Sequence, residues 1–334
     1  MTHRIFAVVT LTCALACGGS LGLEGGLDAG TDAGTDAGSD AGTLTLEQRT
    51  QAVQTTISDN SACTAVPNFY WEIGDKDGAL ASGEVGVGVH SDTQMGIASA
   101  SKLLWGAYVV ERFKDSMASI DDNLMTMRGG YVSLNYSSCL TTTTVADCQS
   151  KGTNGDHTAA DDGVFHYDGG HFQKYAVGLG LGADTNATLA AHMKEKLGSD
   201  LGFSFNSPQL AGGAKTSAAD YALFLRKILN QQLAIGSHLG ENAVCTLPGT
   251  CPRADYSPVN ENWHYSYGHW VEDDPATDDG AFSSPGAFGF YPWIDASKTY
   301  YGVLARYSLE GQAYVQSVLC GRLLRKAFVT GVAQ

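Results

Sequence analysis

The chain has 334 residues, 43% of them hydrophobic and 10% aromatic, enough apolar side chain for one large core or two joined ones and too much for a disordered protein. Its 20 Lys and Arg stand against 35 Asp and Glu, a formal charge of −15 at pH 7. That balance repels nucleic acid and anionic lipid surfaces and excludes both as expected electrostatic partners.

The first segment, MTHRIFAVVTLTCALAC, has a basic start at Arg4, an apolar run from Ile5 to Ala16, and small residues ending at Cys17. These are the charge and length of a secretory signal, and the run is shorter than the ~20 residues a spanning helix needs. ALAC resembles the end of a bacterial lipoprotein signal, with Ala14 where Leu is usual. The resemblance implies residues 1–17 as signal peptide and lipidation of Cys17; an ordinary secreted protein is the alternative. Residues 18–43 contain the repeat LDAGTDAGTDAGSDAGT, which has almost nothing apolar to bury and reads as a flexible, self-repelling tether. Residues 44–334 remain for the folded domain.

TLEQRTQAVQTTI opens with a Thr45/Gln48 capping box and predicts a helix. NFYWEIGDKDGALASGEVG alternates around the turn signal GDKDG and predicts a hairpin. From Ser99 the period becomes helical, with Leu103, Leu104, Ala107, Val110 and Phe113 near one face. A Gly/Thr/Asp-rich middle holds clearer helices at NATLAAHMKEKLG and SAADYALFLRKILN, the second with Ser217 as N-cap. Strand-like runs follow at GAFGFYPWI and TYYGVLARYSL, and the chain closes on an amphipathic helix with Val315, Val318, Leu319, Leu323 and Phe328 on its apolar side. Strands near both ends with helices between them predict an α+β fold. An antiparallel sheet is flanked by the terminal helices in an α/β lobe of residues 44–98 and 240–334, with an inserted helical lobe of 99–239 and a site in the cleft.

Outside the signal, Cys63, Cys139, Cys148, Cys245, Cys251 and Cys320 make an even number, which in an oxidising compartment points to disulfides. Cys139 with Cys148 and Cys245 with Cys251 are short loops able to close on themselves, and Cys63 with Cys320 would then tie the start of the domain to its last helix. The nine histidines are scattered and no C-x-x-C occurs, so no metal and no cofactor is expected.

GIASASKLL places Lys102 three residues after Ser99, where a loop turns into a helix. Positions three apart share a helix face, and burial beside a helix N-terminus disfavours the charged amine, which makes Lys102 a candidate base for a nucleophilic Ser99. The bland reading is a helix cap beside a solvated lysine. With 26 serines and 11 lysines, about one Ser-x-x-Lys arises by chance, so the spacing alone decides nothing.

Context adds a resemblance. MGIASASKLLWGAYVVERFKDSMASIDDNL, GVFHYDGGHFQKYAVGL, LAGGAKTSAADYALFL and SPGAFGFYPWIDASKTYYGVLAR occur in the order of elements of the serine β-lactamase and penicillin-binding-protein superfamily, in its class C, esterase and DD-peptidase branch. The resemblance runs from Trp71 to Phe328 and implies the β-lactamase/transpeptidase fold and an acyl-enzyme on Ser99, with Lys102 and Tyr167 as base and acid. It further implies an oxyanion hole from the backbone N–H groups of Ser99 and Ala287. Tyr131 and Tyr136 are rivals for the tyrosine. Tyr267, Trp270, Ser284 and Gly286 are candidates for the substrate pocket, although aromatics in such clusters more often pack the core, and His166, His171, His264 and His269 are candidate proton carriers, although plain polar surface residues are the commoner case.

Two departures bear on the substrate. Gly169 stands where the family has Asn after the tyrosine, and Ser284-Pro285-Gly286 where it has Lys-Thr-Gly or His-x-Gly, so an amide and a cation that hold a β-lactam or peptide are both missing. The expectation is an exported, envelope-located serine hydrolase, lipid-anchored or else secreted. It is monomeric and acts on a small ester, amide or peptide with little β-lactamase activity. The alternative is a non-catalytic envelope protein that holds peptidoglycan fragments or a peptide in the same cleft; a purely structural lipoprotein ranks third.

Overall fold

Structure is described for residues 44–334 in a computed structural model of the chain; the signal, the tether and Cys17 lie outside the described residues. In chain order the strands are β1 Phe69–Gly74, β2 Ala79–Val85, β3 Met95–Gly96, β4 Phe165–His166, β5 Ser204–Phe205, β6 Ala214–Thr216, β7 Val244–Cys245, β8 Ala254–Tyr256, β9 His264–Tyr265, β10 Trp270–Glu272, β11 Ala281–Ser283, β12 Tyr291–Ile294 and β13 Tyr301–Ala305. Eight of them form an antiparallel sheet in the order β2-β1-β13-β12-β11-β10-β9-β7. A small sheet β3-β6-β5 carries the chain toward Ser99.

The β1–β2 hairpin forms where GDKDG predicts it, because Asp75 Oδ1 accepts the N–H of Asp77 at 2.8 Å and thereby closes the turn. Every residue of β1, β12 and β13 is buried, so these central strands are covered on both faces. The helix Leu46–Asp59 starts at the Thr45/Gln48 capping box and packs on the last helix, Ala313–Thr330, which lies on β12 and β13. Helix Ala218–Leu229, capped by Ser217, packs on β13 and β1 although it lies within the stretch read as the helical lobe. All three cysteine pairs are bonded: Cys139–Cys148, Cys245–Cys251 and Cys63–Cys320. The last closes 257 residues and restricts the unfolded chain most, by roughly 2–5 kcal/mol.

Three expectations change. The helix Ser101–Phe113 is not amphipathic in use: residues 101 to 110 are all buried, so it runs through the middle of the molecule. The last helix buries Val318 and Phe328 as expected but also Ser317, Cys320, Gly321, Leu324 and Arg325, and leaves Leu319 45% exposed, a face rotated in part from the expected one. The rotation follows from chemistry that hydropathy does not count: Cys320 is tethered to Cys63, and buried Arg325 is neutralised by Glu272 and Asp279, each at 2.8 Å. Finally, the run GAFGFYPWI is strand only from Tyr291. Residues 284–290 form a loop after β11, closed by Gly286 N–H to Phe290 O at 2.7 Å.

The central helix meets the β9–β10 turn backbone to backbone. A side chain at Gly106 would fall on Tyr267 O, and one at Gly268, whose φ of +76° already disfavours it, on Lys102 O. Gly106→Ala is therefore expected to lower stability by about 1–3 kcal/mol, read as a reduced thermal midpoint. An unchanged midpoint would mean that this contact yields without cost.

Candidate active site

β3 pairs with β6 and delivers the chain into a 3₁₀ turn, Ala98–Ala100, which runs straight into the helix Ser101–Phe113. Ala98 sits at φ +43°, a left-handed conformation that costs an alanine about 1–2 kcal/mol. Neighbours hold it there. Ile97 N–H donates to Ala214 O at 3.0 Å. Ser101 Oγ donates to Ala98 O at 2.6 Å and accepts Ala214 N–H at 3.1 Å. Tyr221 Oη donates to Ala100 O at 2.8 Å, and Ser284 Oγ to Ser99 O at 3.0 Å. The turn that presents Ser99 is thus bonded from β6, from the helix Ala218–Leu229 and from the loop after β11.

Lys102 is buried, with Nζ 2.8 Å from Ser99 Oγ, 2.7 Å from Ala211 O and 4.7 Å from the centre of the Tyr167 ring. Loss of water around the amine pulls its pKa down to about 7, while the negative charge of Asp168 pulls the other way. At neutral pH a large share of the amine is unprotonated. Its lone pair can then accept the Ser99 proton along the same 2.8 Å contact while one N–H stays on Ala211 O.

Tyr167 is raised to about 12, first by burial, with the Ser99 and Trp270 side chains acting in the opposite direction. It remains a phenol able to donate a proton throughout the neutral range. Asp168, which sequence reasoning passed over, accepts the N–H of Gly170 at 2.7 Å and of Leu134 at 3.2 Å. Burial raises its pKa, and those two bonds and the charge of Lys102 counter the rise.

Ser99 and Lys102 open on a cavity of about 320 Å³ whose wall includes Leu134, Tyr136, Gln209, Ala211, Ala287 and Phe288. In the loop after β11 the N–H groups of Ser284, Gly286 and Gly289 are bonded to backbone carbonyls, whereas among the described residues that of Ala287 has no backbone partner. Gln209 is buried, and its Nε2 has no hydrogen-bond partner among the described residues.

The sequence matches no family model and no curated protein. Solved structures do match. The chain is similar to an octameric penicillin-binding protein homologue from Pyrococcus abyssi at 14% identity, over 84% of this chain and 77% of that one, with a TM-score of 0.59. It is similar to a β-lactamase from Mycobacterium bovis at 14% identity, over 78% and 95%, with a TM-score of 0.52. It is also similar to a D-amino acid amidase from Ochrobactrum anthropi SV3 at 11% identity, over 84% and 99%, with a TM-score of 0.59. The chain has the β-lactamase/transpeptidase fold. At these identities the likeness is one of architecture.

Within this β-lactamase/transpeptidase fold the four residues assigned to the substrate pocket take other places. Tyr267 is buried away from the cavity, donating to Asp122 Oδ1 at 2.6 Å and accepting from Asn242 Nδ2 at 2.6 Å. Trp270 stands behind Tyr167, stacked at 5.2 Å. Ser284 spends its hydroxyl on Ser99 O, and Gly286 is pressed on the Ser99 turn, where a side chain would fall on Ile97 O. All four therefore support the site instead of facing a ligand. Of the rival tyrosines, Tyr136 lines the cavity as a wall and Tyr131 packs on His157 at 5.0 Å.

The histidines also have other occupations. His166 pairs with Asp255 and His264 with Asp273. His171 and His269, both lowered to about 4 by burial, each accept one backbone N–H and face one backbone carbonyl.

The β-lactamase/transpeptidase fold also explains the Gly169 departure in spatial terms. A Cβ there would lie 2.7 Å from Leu134 Cδ2 and 2.9 Å from Ala211 Cβ, so the volume an asparagine would need is occupied. Gly169→Asn is expected to destabilise by about 1–3 kcal/mol, with part recovered in Gly169→Asn/Leu134→Ala. Equal denaturation midpoints for Gly169→Asn and the parent would contradict the filled-space explanation.

Proposed function

We propose that the protein is a serine hydrolase that cleaves a small ester or amide through an acyl-enzyme on Ser99. The observation that carries this reading is the buried Lys102 amine, brought to about 7 and held 2.8 Å from the Ser99 hydroxyl. The architecture it shares with a β-lactamase and an amidase supports the same class.

In the first half-reaction the Ser99 proton passes to Lys102 Nζ as Oγ bonds to the substrate carbonyl carbon. The developing oxyanion is held by the backbone N–H groups of Ser99 and Ala287. Collapse breaks the bond to the leaving alcohol or amine, which takes its proton from the Lys102/Tyr167 pair. Water, deprotonated by the same pair, then displaces Ser99 and releases the acid. Gln209 is the side-chain amide left to meet the acyl group, since position 169 has none.

Substrate breadth follows from the wall. The hydroxyl of Ser284 is directed at Ser99 O and no cation takes the place of the family's Lys-Thr-Gly lysine, which supports an esterase or amidase over an efficient β-lactamase. Three disulfides among the described residues support export, and lipid attachment at Cys17 is the anchoring we propose. We further infer a monomer whose partner is its substrate.

Two measurements test the proposal. A fluorophosphonate is expected to add covalently to Ser99, seen by intact mass and peptide mapping, with no adduct and at least a 10³-fold loss of aryl-ester turnover in Ser99→Ala, the order expected for removal of a nucleophile. Folded parent protein that takes no label moves the assignment to the binding-protein alternative. Because the working form of Lys102 is the neutral amine, kcat/KM should fall as pH drops through about 7. A flat profile between pH 6 and pH 8 would remove Lys102 as the base.

A further inference from the structure

Beside the Ser99 cavity lies a larger groove of about 700 Å³ that shares Tyr136, Gly212 and Phe288 with it. The two are therefore neighbours, with those three residues common to both walls. Its apolar wall comes from Val89, Met95, Leu140 and Tyr307, and several of these side chains face solvent: Tyr136 is 40%, Leu140 54% and Tyr307 50% exposed.

One lining residue is charged. Lys215, on β6, sits directly across from Gly96 of β3, which has no side chain to cover it. Among the described residues no carboxylate lies within ion-pair distance of Lys215. The acid that follows it in the chain, Asp220, is bonded to Ser217 and Gln94 instead. Lys215 is half-buried and is the charged side chain that this groove offers to a ligand. The position where the family resemblance expects a cation, Ser284, has none, whereas Lys215 on β6 lines the neighbouring groove.

Resting on the Ser99 hydrolase reading, we propose that the groove is the specificity subsite and that Lys215 binds a carboxylate of the substrate. The substrate class is then an ester or amide with an apolar stem that ends in a carboxylate. Gly96 is three residues from Ser99, so their Cα atoms are at most about 10 Å apart. The stem runs along Tyr136, Phe288 and Tyr307, and the Lys215 ammonium meets the acid as a charge-assisted hydrogen bond.

The test compares p-nitrophenyl monoesters of α,ω-diacids with neutral p-nitrophenyl esters of equal chain length, and 4-carboxyphenyl esters with phenyl esters. The first pair places the acid on the acyl side and the second on the leaving group. For one of the two pairs, the acid-to-neutral ratio of kcat/KM is expected to fall about tenfold or more in Lys215→Met, mainly through KM, and to survive in Lys215→Arg. Ratios that do not change between the parent and Lys215→Met in either pair overturn the inference.

A binding measurement keeps the two proposals apart. Suberate is titrated into Ser99→Ala and into Ser99→Ala/Lys215→Met by calorimetry. If no ester is turned over but suberate affinity still drops about tenfold on loss of Lys215, the subsite stands and the hydrolase reading fails. Affinity independent of Lys215 overturns the subsite whatever the hydrolysis result.

Discussion

The site is organised by the desolvation of one amine. Lys102 has its Nζ among a hydroxyl, a backbone carbonyl and the face of an aromatic ring, and none of these compensates an ammonium as water does. A carboxylate in direct contact would fix the proton on nitrogen and end its usefulness as a base. Asp168 is close enough to be felt but spends an oxygen on the N–H groups of Gly170 and Leu134. Its distance from direct contact is what leaves the amine near neutrality.

From that balance the two departures from the family pattern become intelligible together. A second cation on the loop after β11 would push the Lys102 ammonium lower still, and here the Ser284 side chain is a neutral hydroxyl directed at Ser99 O. Leu134 similarly occupies the volume next to Gly169, and its N–H is one of the two that engage Asp168. Replaced groups in a decaying site leave voids or unpaired atoms. Here Gly169 and Ser284 are each matched to a neighbour, Leu134 and Ser99 O.

The sequence was most readable where local chemistry determines structure. The Thr45/Gln48 capping box, the Asp75 turn and the Ser217 cap depend on side chains reaching their own backbone, and all three form as patterned. Ser99 and Lys102 were legible because three-residue spacing on a helix start nearly dictates their meeting. Ala211 O was not, since a backbone carbonyl arriving from 109 residues away has no residue-type signal. For Tyr267 and Trp270 the sequence left pocket and packing both open, because a buried aromatic has the same identity whether it lines a cavity or backs its wall. The last helix was legible only in part, at Val318 and Phe328, because its buried face also includes Arg325, a residue that hydropathy assigns to water and Glu272 retains inside.

Backbone contact, more than side-chain packing, joins these parts into one site. The β9–β10 turn reaches the central helix through Gly106 and Gly268, at the carbonyl of Lys102 itself, and the loop after β11 reaches the Ser99 turn through Gly286. Peptide units pressed together have few alternative arrangements, so Ser99, Lys102 and the Ala287 N–H are fixed relative to one another. The opposite wall is built differently. Leu134, Tyr136 and Phe288 meet the cavity through rotatable side chains, and Tyr136 extends into solvent. Change in the shape of this cavity is therefore confined to rotamers on that wall, while the Ser99 and Lys102 side stays constant.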